Sequence, residues 1–322
     1  MLLLRQCKTT TTKETVLSEE AVAQMRAEMR KQVAVYTQDR IYHDINYNSD
    51  RIFYTMEKKA FQLPLKRSFT GLYMVPATVG GRKLRFVLDT GAQISGVRQE
   101  ILTEINADRL GSKLSISSIG GTKKQMQAYV IEEFSIGPLS LFQFPVISLQ
   151  APRLSLTNKG FYLFDGIIGW DILSQLDFEI DDVAKVFKVL ENRYSFAYPN
   201  MVKALFPLLL VKDEKGNVLK MGLDTGARCG WVNKSRMQEY GYELSENVEM
   251  YGYGVHGIEE MSIQLIKRLN LYLYKAHIRL NYVHTGETDI FANLPLDGIL
   301  GNEIFRNRRI RFINSKEMIL LV

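Results

Sequence analysis

Apolar and polar positions along this chain change over in short runs for most of its length. Residues 82–88, 127–136 and 263–274 are rich in β-branched and aromatic side chains and are bounded by turn residues, which predicts strands. Gly80-Gly81 predicts a hairpin turn, and Asp213-Glu214-Lys215-Gly216-Asn217 a longer one. One stretch departs from this pattern. From Ser18 to Gln32 the spacing is helical, with Ser18 as N-cap and Glu19 and Glu20 in the first turn. The longest apolar runs, such as 205–211 with its proline, are far too short to span a bilayer as a helix.

The pattern occurs twice. Phe86-Val87-Leu88-Asp89-Thr90-Gly91-Ala92 recurs as Met221-Gly222-Leu223-Asp224-Thr225-Gly226-Ala227. Downstream, Asp165-Gly166-Ile167-Ile168-Gly169 recurs as Asp297-Gly298-Ile299-Leu300-Gly301. Gly169 follows Asp89 by 80 residues and Gly301 follows Asp224 by 77, so the spacing repeats as well. A proline-containing apolar run precedes each Asp-Thr-Gly, at 74–79 and 205–211. A short helix-like piece and two strand-like segments follow each second motif, over 171–190 and 303–322. The expectation is an internal duplication: an N-terminal extension over 1–62, a first lobe over 63–192 and a second lobe over 193–322.

An apolar strand ending in Asp-Thr-Gly sets a carboxylate at a turn, where glycine allows backbone shapes that a side chain hinders. Two such lobes about a pseudo-two-fold axis would bring Asp89 and Asp224 face to face. Two carboxylates that close share one proton. The ionised partner can then take a proton from water while the protonated one polarises a carbonyl, with no metal, cofactor or covalent nucleophile required.

On these residues the chain resembles the aspartic peptidases, the group that holds the pepsin-like and retropepsin-like enzymes. The resemblance covers roughly residues 63–322. It implies a mostly β, two-lobed acid-protease fold with pseudo-two-fold symmetry, carrying an added N-terminal helical extension. It implies an aspartic endopeptidase that acts on peptide or protein substrates, with Asp89 and Asp224 as the catalytic pair. Thr90 and Thr225 would brace the two loops across the interface, and Gly91 and Gly226 would give backbone donors beside the carboxylates. Ala92 and Ala227 stand where pepsin-like enzymes often carry a hydroxyl, a lost donor that moves the expected pH optimum toward neutral. Asp165, Gly166 and Gly169, with Asp297, Gly298 and Gly301, would be structural, behind the site.

Each half is about 130 residues by these boundaries, closer to a retropepsin subunit than to a pepsin lobe. Ile119, Gly120 and Gly121 look like the tip of a retropepsin flap. The second half resembles the pepsin-like enzymes instead, with Trp231 seven residues after Asp224 and Tyr251-Gly252-Tyr253-Gly254 as a tyrosine-bearing flap. The same Gly252-Tyr253-Gly254-Val255-His256-Gly257 fits a dinucleotide fingerprint by letter. A strand-like alternation follows it, and no acidic residue lies about twenty positions on, so that reading is rejected.

Composition adds boundaries. Lys plus Arg number 41 against 35 Asp plus Glu, a formal charge of +6, which over 322 residues does not by itself point to nucleic acid. His43, His256, His277 and His284 show no metal-ligand spacing. Cys7 and Cys229 make no disulfide framework, and Cys229 is expected to be buried and inert. As it stands the chain reads as cytoplasmic, with no membrane span; an export leader upstream would make it exported or periplasmic. One copy of the chain suffices for one site. Two rivals come from other classes: an inactive peptide-binding relative of the same fold, and an assembly or scaffolding protein acting through the N-terminal helix. That extension is read as a packed cap, a docking element, or a prosegment whose Arg26, Arg30 or Lys31 reaches the aspartates.

Overall fold

The computed structural model describes residues 17–68, 70–117, 123–149, 153–154, 161–191, 195, 198–254, 257–286 and 295–322. The fold is mostly β, two-lobed, with helices at its N-terminal end. In the first half, Tyr73–Val79 pairs with Arg82–Leu88, then in turn come Gly166–Ile168, Gly96–Arg98, Leu139–Leu149 and Lys123–Ile136. The last returns to Tyr73–Val79 and closes a six-stranded barrel. In the second half the same circuit runs Pro207–Asp213, Val218–Leu223, Gly298–Leu300, Trp231–Asn233, Ala276–Gly286 and Leu265–Leu273, and closes on Pro207–Asp213.

The two circuits agree in strand sense. Gly166–Ile168 is parallel to Arg82–Leu88, as Gly298–Leu300 is to Val218–Leu223. Gly96–Arg98 is parallel to Leu139–Leu149, as Trp231–Asn233 is to Ala276–Gly286. The pairing of Leu88 with Ile168 and of Leu223 with Leu300 ends each parallel pair one residue before an aspartate. Leu88 and Leu223 are both fully buried, so each aspartate leaves a rigid strand end.

A five-stranded sheet ties the halves together. Asp177–Asp181 pairs antiparallel with Arg309–Ile313, and the hairpin partners Val186–Val189 and Met318–Leu321 lie outside them. Phe178 stacks on Phe312 with centroids 4.3 Å apart. The alternation of Asp177–Asp181 does not mean a solvated face, because all five residues are buried. The Lys188 Nζ donates to Glu179 at 2.6 Å and to Asp181 at 3.2 Å, and the Arg311 Nε donates to Glu179 at 2.5 Å. Buried carboxylates are tolerated only with such partners.

The N-terminal segment is woven into this frame. Ser18 caps the helix Glu19–Val33 by accepting from the Ala21 amide at 3.2 Å. Val22, Met29 and Val33 pack on Tyr198, Val202 and Phe206 of the second half. The Arg26 Nε donates to the Met201 carbonyl at 2.8 Å, and both Arg26 and Arg30 pair with Glu317. Those two arginines are thus engaged at Glu317, away from the aspartates. A second helix, Gln38–Asp44, which the sequence pattern did not reveal, sets Ile41, Tyr42 and Ile45 against Val87, Ile94 and Ile147 of the first half. Phe53–Met56 adds an edge strand to Leu139–Phe142 of the first barrel, and Phe61–Pro64 joins the five-stranded sheet beside Val186–Val189. The described part of the segment, from Leu17 on, thus packs on both halves. Among the described residues no helix is long and apolar enough to cross a membrane.

Candidate active site

The two Asp-Thr-Gly loops meet at the interface between the barrels. The Asp89 amide donates to the Ile168 carbonyl at 3.0 Å, and the Asp224 amide to that of Leu300 at 2.9 Å, which fixes each loop to its own barrel. The loops then lock to each other. The Thr90 hydroxyl donates to the Leu223 carbonyl and the Thr225 hydroxyl to the Leu88 carbonyl, both at 2.7 Å. The Thr90 amide donates to the Thr225 hydroxyl at 2.9 Å, and the Thr225 amide to the Thr90 hydroxyl at 3.0 Å. Both threonines are fully buried.

Each carboxyl sits in a cradle of its own loop. The Asp89 Oδ1 accepts from the amides of Gly91 and Ala92, both at 2.9 Å. The Asp224 Oδ1 accepts from Gly226 at 2.8 Å and Ala227 at 3.1 Å. A Cβ built on Gly91 would fall on the Asp224 carboxyl, and one built on Gly226 would fall on that of Asp89. Glycine is required at both positions by this cross-loop approach. The same approach brings the two carboxyls close enough for each to act on the titration of the other.

The electrostatics follow from that contact. Desolvation, then repulsion by Asp224, holds Asp89 well above the usual carboxylate range. Desolvation raises Asp224 too, opposed by the hydrogen bond from Asp89 and by backbone amides. At neutral pH the pair can therefore carry one proton between them.

Behind the loops stand two further carboxyls that the sequence reading passed over, although an acidic residue lies two positions after each of Gly169 and Gly301. Asp171 accepts from the Ser95 amide at 2.8 Å and the Ser95 hydroxyl at 2.7 Å, and that hydroxyl accepts from the Gly169 amide at 2.9 Å. Glu303 accepts from the Gly230 amide at 2.9 Å in the second half. Ser95 and Gly230 each lie six residues after an aspartate of the pair. The Trp170 amide donates to the Ala92 carbonyl at 2.7 Å and the Asn302 amide to that of Ala227 at 2.8 Å, which closes each latch. At Gly169 a Cβ would lie 2.7 Å from the Ala92 carbonyl oxygen; at Gly301 it would lie 2.7 Å from the Cys229 carbonyl carbon. Burial pushes Asp171 up to about 7. Replacing Asp171 by Ala is expected to cost about 2–4 kcal/mol by leaving the Ser95 donors unpaired in the interior. Asp171→Asn keeps an acceptor. A raised carboxyl contributes stability in acid that is lost as pH rises through its folded value, so this variant should flatten melting temperature against pH between about 4 and about 7.

Asp165 and Asp297 are bound into the barrels. Asp165 accepts from the Arg85 amide at 2.9 Å and from Arg98 at 3.2 Å. Asp297 accepts from the Lys220 amide at 2.7 Å and pairs with Arg236. Gly166 and Gly298 sit in the parallel pairs, at Phe86 and Met221 respectively.

Of the flap residues, Ile119, Gly120 and Gly121 lie outside the described residues. Tyr251, Gly252, Tyr253 and Gly254 lie on the strand Val248–Gly254, which pairs antiparallel with Gly257–Ile263 as a hairpin. Trp231 is buried in the second barrel, with its indole Nε1 buried and without a partner among the described residues. Cys229 is exposed, contrary to expectation: the turn from Arg228 to Gly230 buries its backbone against Leu300 and Gly301 and turns the side chain outward.

A family model for aspartyl protease matches residues 75–172, which run from the first strand of the first barrel through Asp89 to the helical turn after Gly169. No curated protein matches the chain.

Proposed function

We propose that the chain is an aspartic endopeptidase whose dyad is Asp89 and Asp224, one from each of two related lobes. The observation that carries this reading is the pair of carboxyls brought together by cross-braced loops, each lying where a side chain on the other loop's glycine would stand. The aspartyl protease match over residues 75–172 supports the same chemistry for the Asp89 half. Asp224, as carboxylate, accepts a proton from the attacking water, whose oxygen bonds to the peptide carbonyl carbon. Asp89 gives its proton to the carbonyl oxygen. The proton on Asp224 then goes to the leaving nitrogen as the carbon–nitrogen bond breaks, while one hydroxyl of the tetrahedral carbon returns its proton to Asp89, which leaves a carboxylic acid, an amine and the starting protonation of the pair. Peptide would lie extended under the hairpin of residues 248–263.

The test is a peptide library assayed between about pH 3 and about pH 8, the window in which a coupled dyad should work somewhere. Cleavage nowhere in that range would favour a binding protein of the same fold. Because both carboxyls are raised, the acid limb of the rate profile should lie above that of an ordinary carboxylate and the maximum toward neutrality. A maximum in strongly acid solution would contradict this. In pepsin-like enzymes a flap tyrosine and a tryptophan interact beside the site, and a Trp231 Nε1 that is without a partner among the described residues supports a polar flap from the second half. Tyr251→Phe with Tyr253→Phe is expected to slow cleavage severalfold, on the order of one lost hydrogen bond; an unaltered rate would argue against that flap.

A further inference from the structure

Arg228 follows Ala227, the residue whose amide holds the Asp224 carboxyl, and its side chain is exposed. Its stem lies against Gly71, with Cγ 3.6 Å and Cδ 3.8 Å from where a Cβ of Gly71 would stand. The Arg67 Nη2 comes within 3.6 Å of the same point, and its Nε donates to the Gly71 carbonyl at 3.1 Å. Gly71 has φ +93°, its amide donates to the Ser68 carbonyl at 2.9 Å, and the Asn302 side chain donates to its carbonyl at 3.1 Å. Gly71 is thus held at both its amide and its carbonyl, and two guanidinium-bearing chains converge on it next to the Asp224 loop. Arg306 adds a third positive charge to the field at the neighbouring Cys229.

Among the described residues neither Arg228 nor Arg67 has a carboxylate within 4.0 Å. Asp182 acts on Arg67 from further off and is itself held by Lys185 at 2.6 Å. Glu303, near Cys229, turns inward to the Gly230 amide. Trp170 donates to Ala204 as Asn302 does to Gly71, and the position matching Arg228 is Gln93. Guanidinium groups with no carboxylate in direct contact among the described residues attract an anion, and a guanidinium meets a carboxylate through two parallel hydrogen bonds.

We propose that Arg228 and Arg67 form a one-sided anion subsite at the Asp224 end of the cleft, which takes a carboxylate of the substrate peptide. This rests on reading Asp89 and Asp224 as the peptidase dyad. The carboxylate comes either from an acidic side chain or from the peptide's free C-terminus.

The test uses matched peptides with Glu or Gln at each position flanking the scissile bond, each made with a free or an amidated C-terminus. The full chain is compared with Arg228→Gln, Arg67→Gln, both together, and Arg228→Lys, after melting curves show that each is folded. At low salt, kcat/KM for the preferred acidic peptide should exceed that of its Gln partner by about fivefold or more. The ratio should shrink as salt rises, fall toward one in the double variant, and return in part with Arg228→Lys. A preference for free over amidated C-terminus assigns the site to the terminal carboxylate; a Glu preference in both assigns it to a side chain. Binding of the same peptides to Asp224→Asn, with and without Arg228→Gln, gives the ratio without cleavage. Peptides cut with no carboxylate preference, or with one that neither substitution moves, overturn the subsite and leave the dyad standing. Peptides bound with an Arg228-dependent preference but never cut support the subsite and overturn the dyad. A chain that neither binds nor cuts overturns both.

Discussion

Asp89→Asn and Asp224→Asn should each lower kcat for peptide cleavage by roughly 10³–10⁴-fold, because either change removes one partner of a proton-sharing pair. Both variants should remain folded, since Asn can still accept from the amides that hold Oδ1, those of Gly91 and Ala92 or of Gly226 and Ala227. The same substitutions should stabilise the protein at neutral and alkaline pH. Both carboxyls are raised by burial, so they favour the folded state below the unfolded carboxylate value, and that contribution is lost as pH rises through their folded values. Removing one acid removes the cost of a second buried negative charge. The melting temperature of each variant should thus exceed that of the parent by a margin that grows with pH. Activity that survives either substitution sinks the dyad mechanism. A margin that shrinks with pH contradicts the electrostatic account even if activity is lost.

The second large effect belongs to the threonines. Thr90→Val preserves shape but leaves the Leu223 carbonyl and the Thr225 amide without their partner, in a fully buried place. At about 1–3 kcal/mol for each orphaned group, the cost is about 2–6 kcal/mol. Thr225→Val should cost a similar amount by the matching bonds to Leu88 and Thr90. Because the four bonds form one ring, the double variant should cost less than the two singles together, with a coupling of about 0.5–3 kcal/mol. Thr→Ser at either position keeps the hydroxyl and should restore most of the loss. Additive Val variants, or losses below about 0.5 kcal/mol as at an ordinary surface site, would show that the loops are held by their barrels alone.

Much of the candidate site is legible in the sequence because its loops rest on local residues. Leu88 and Leu223 mark buried strand ends, and the three letters that follow each dictate a carboxylate, a hydroxyl and a close approach. The helix Glu19–Val33 was legible from its cap and periodicity. What escaped depends on residues far apart. Phe61–Pro64 is a strand only because Val186–Val189 lies beside it, and nothing in four residues announces that. Asp177, Glu179 and Asp181 alternate with apolar residues as a solvated face does. Their partners include Lys188 on the neighbouring strand and Arg311 from the other half, so the face is buried. Asp171 and Glu303 left a faint signal in their matched spacing, but their role needs Ser95 and Gly230, more than seventy residues upstream. Cys229 lies close behind Asp224 in sequence, which points inward, whereas Gly230 takes the inward place.

The pairing of Arg228 with Gln93 across equivalent loops has one more consequence. A peptide has a direction, from amine to carboxyl, whereas a site built from two identical subunits has none and must accept its substrate threaded either way. Here both aspartates lie on one chain, so a residue can change on one side without changing on the other. A charge at one end alone turns a cleft of matched halves into one with a polarity of its own, and a substrate carrying a single acidic group would then be cut in one orientation and at one register.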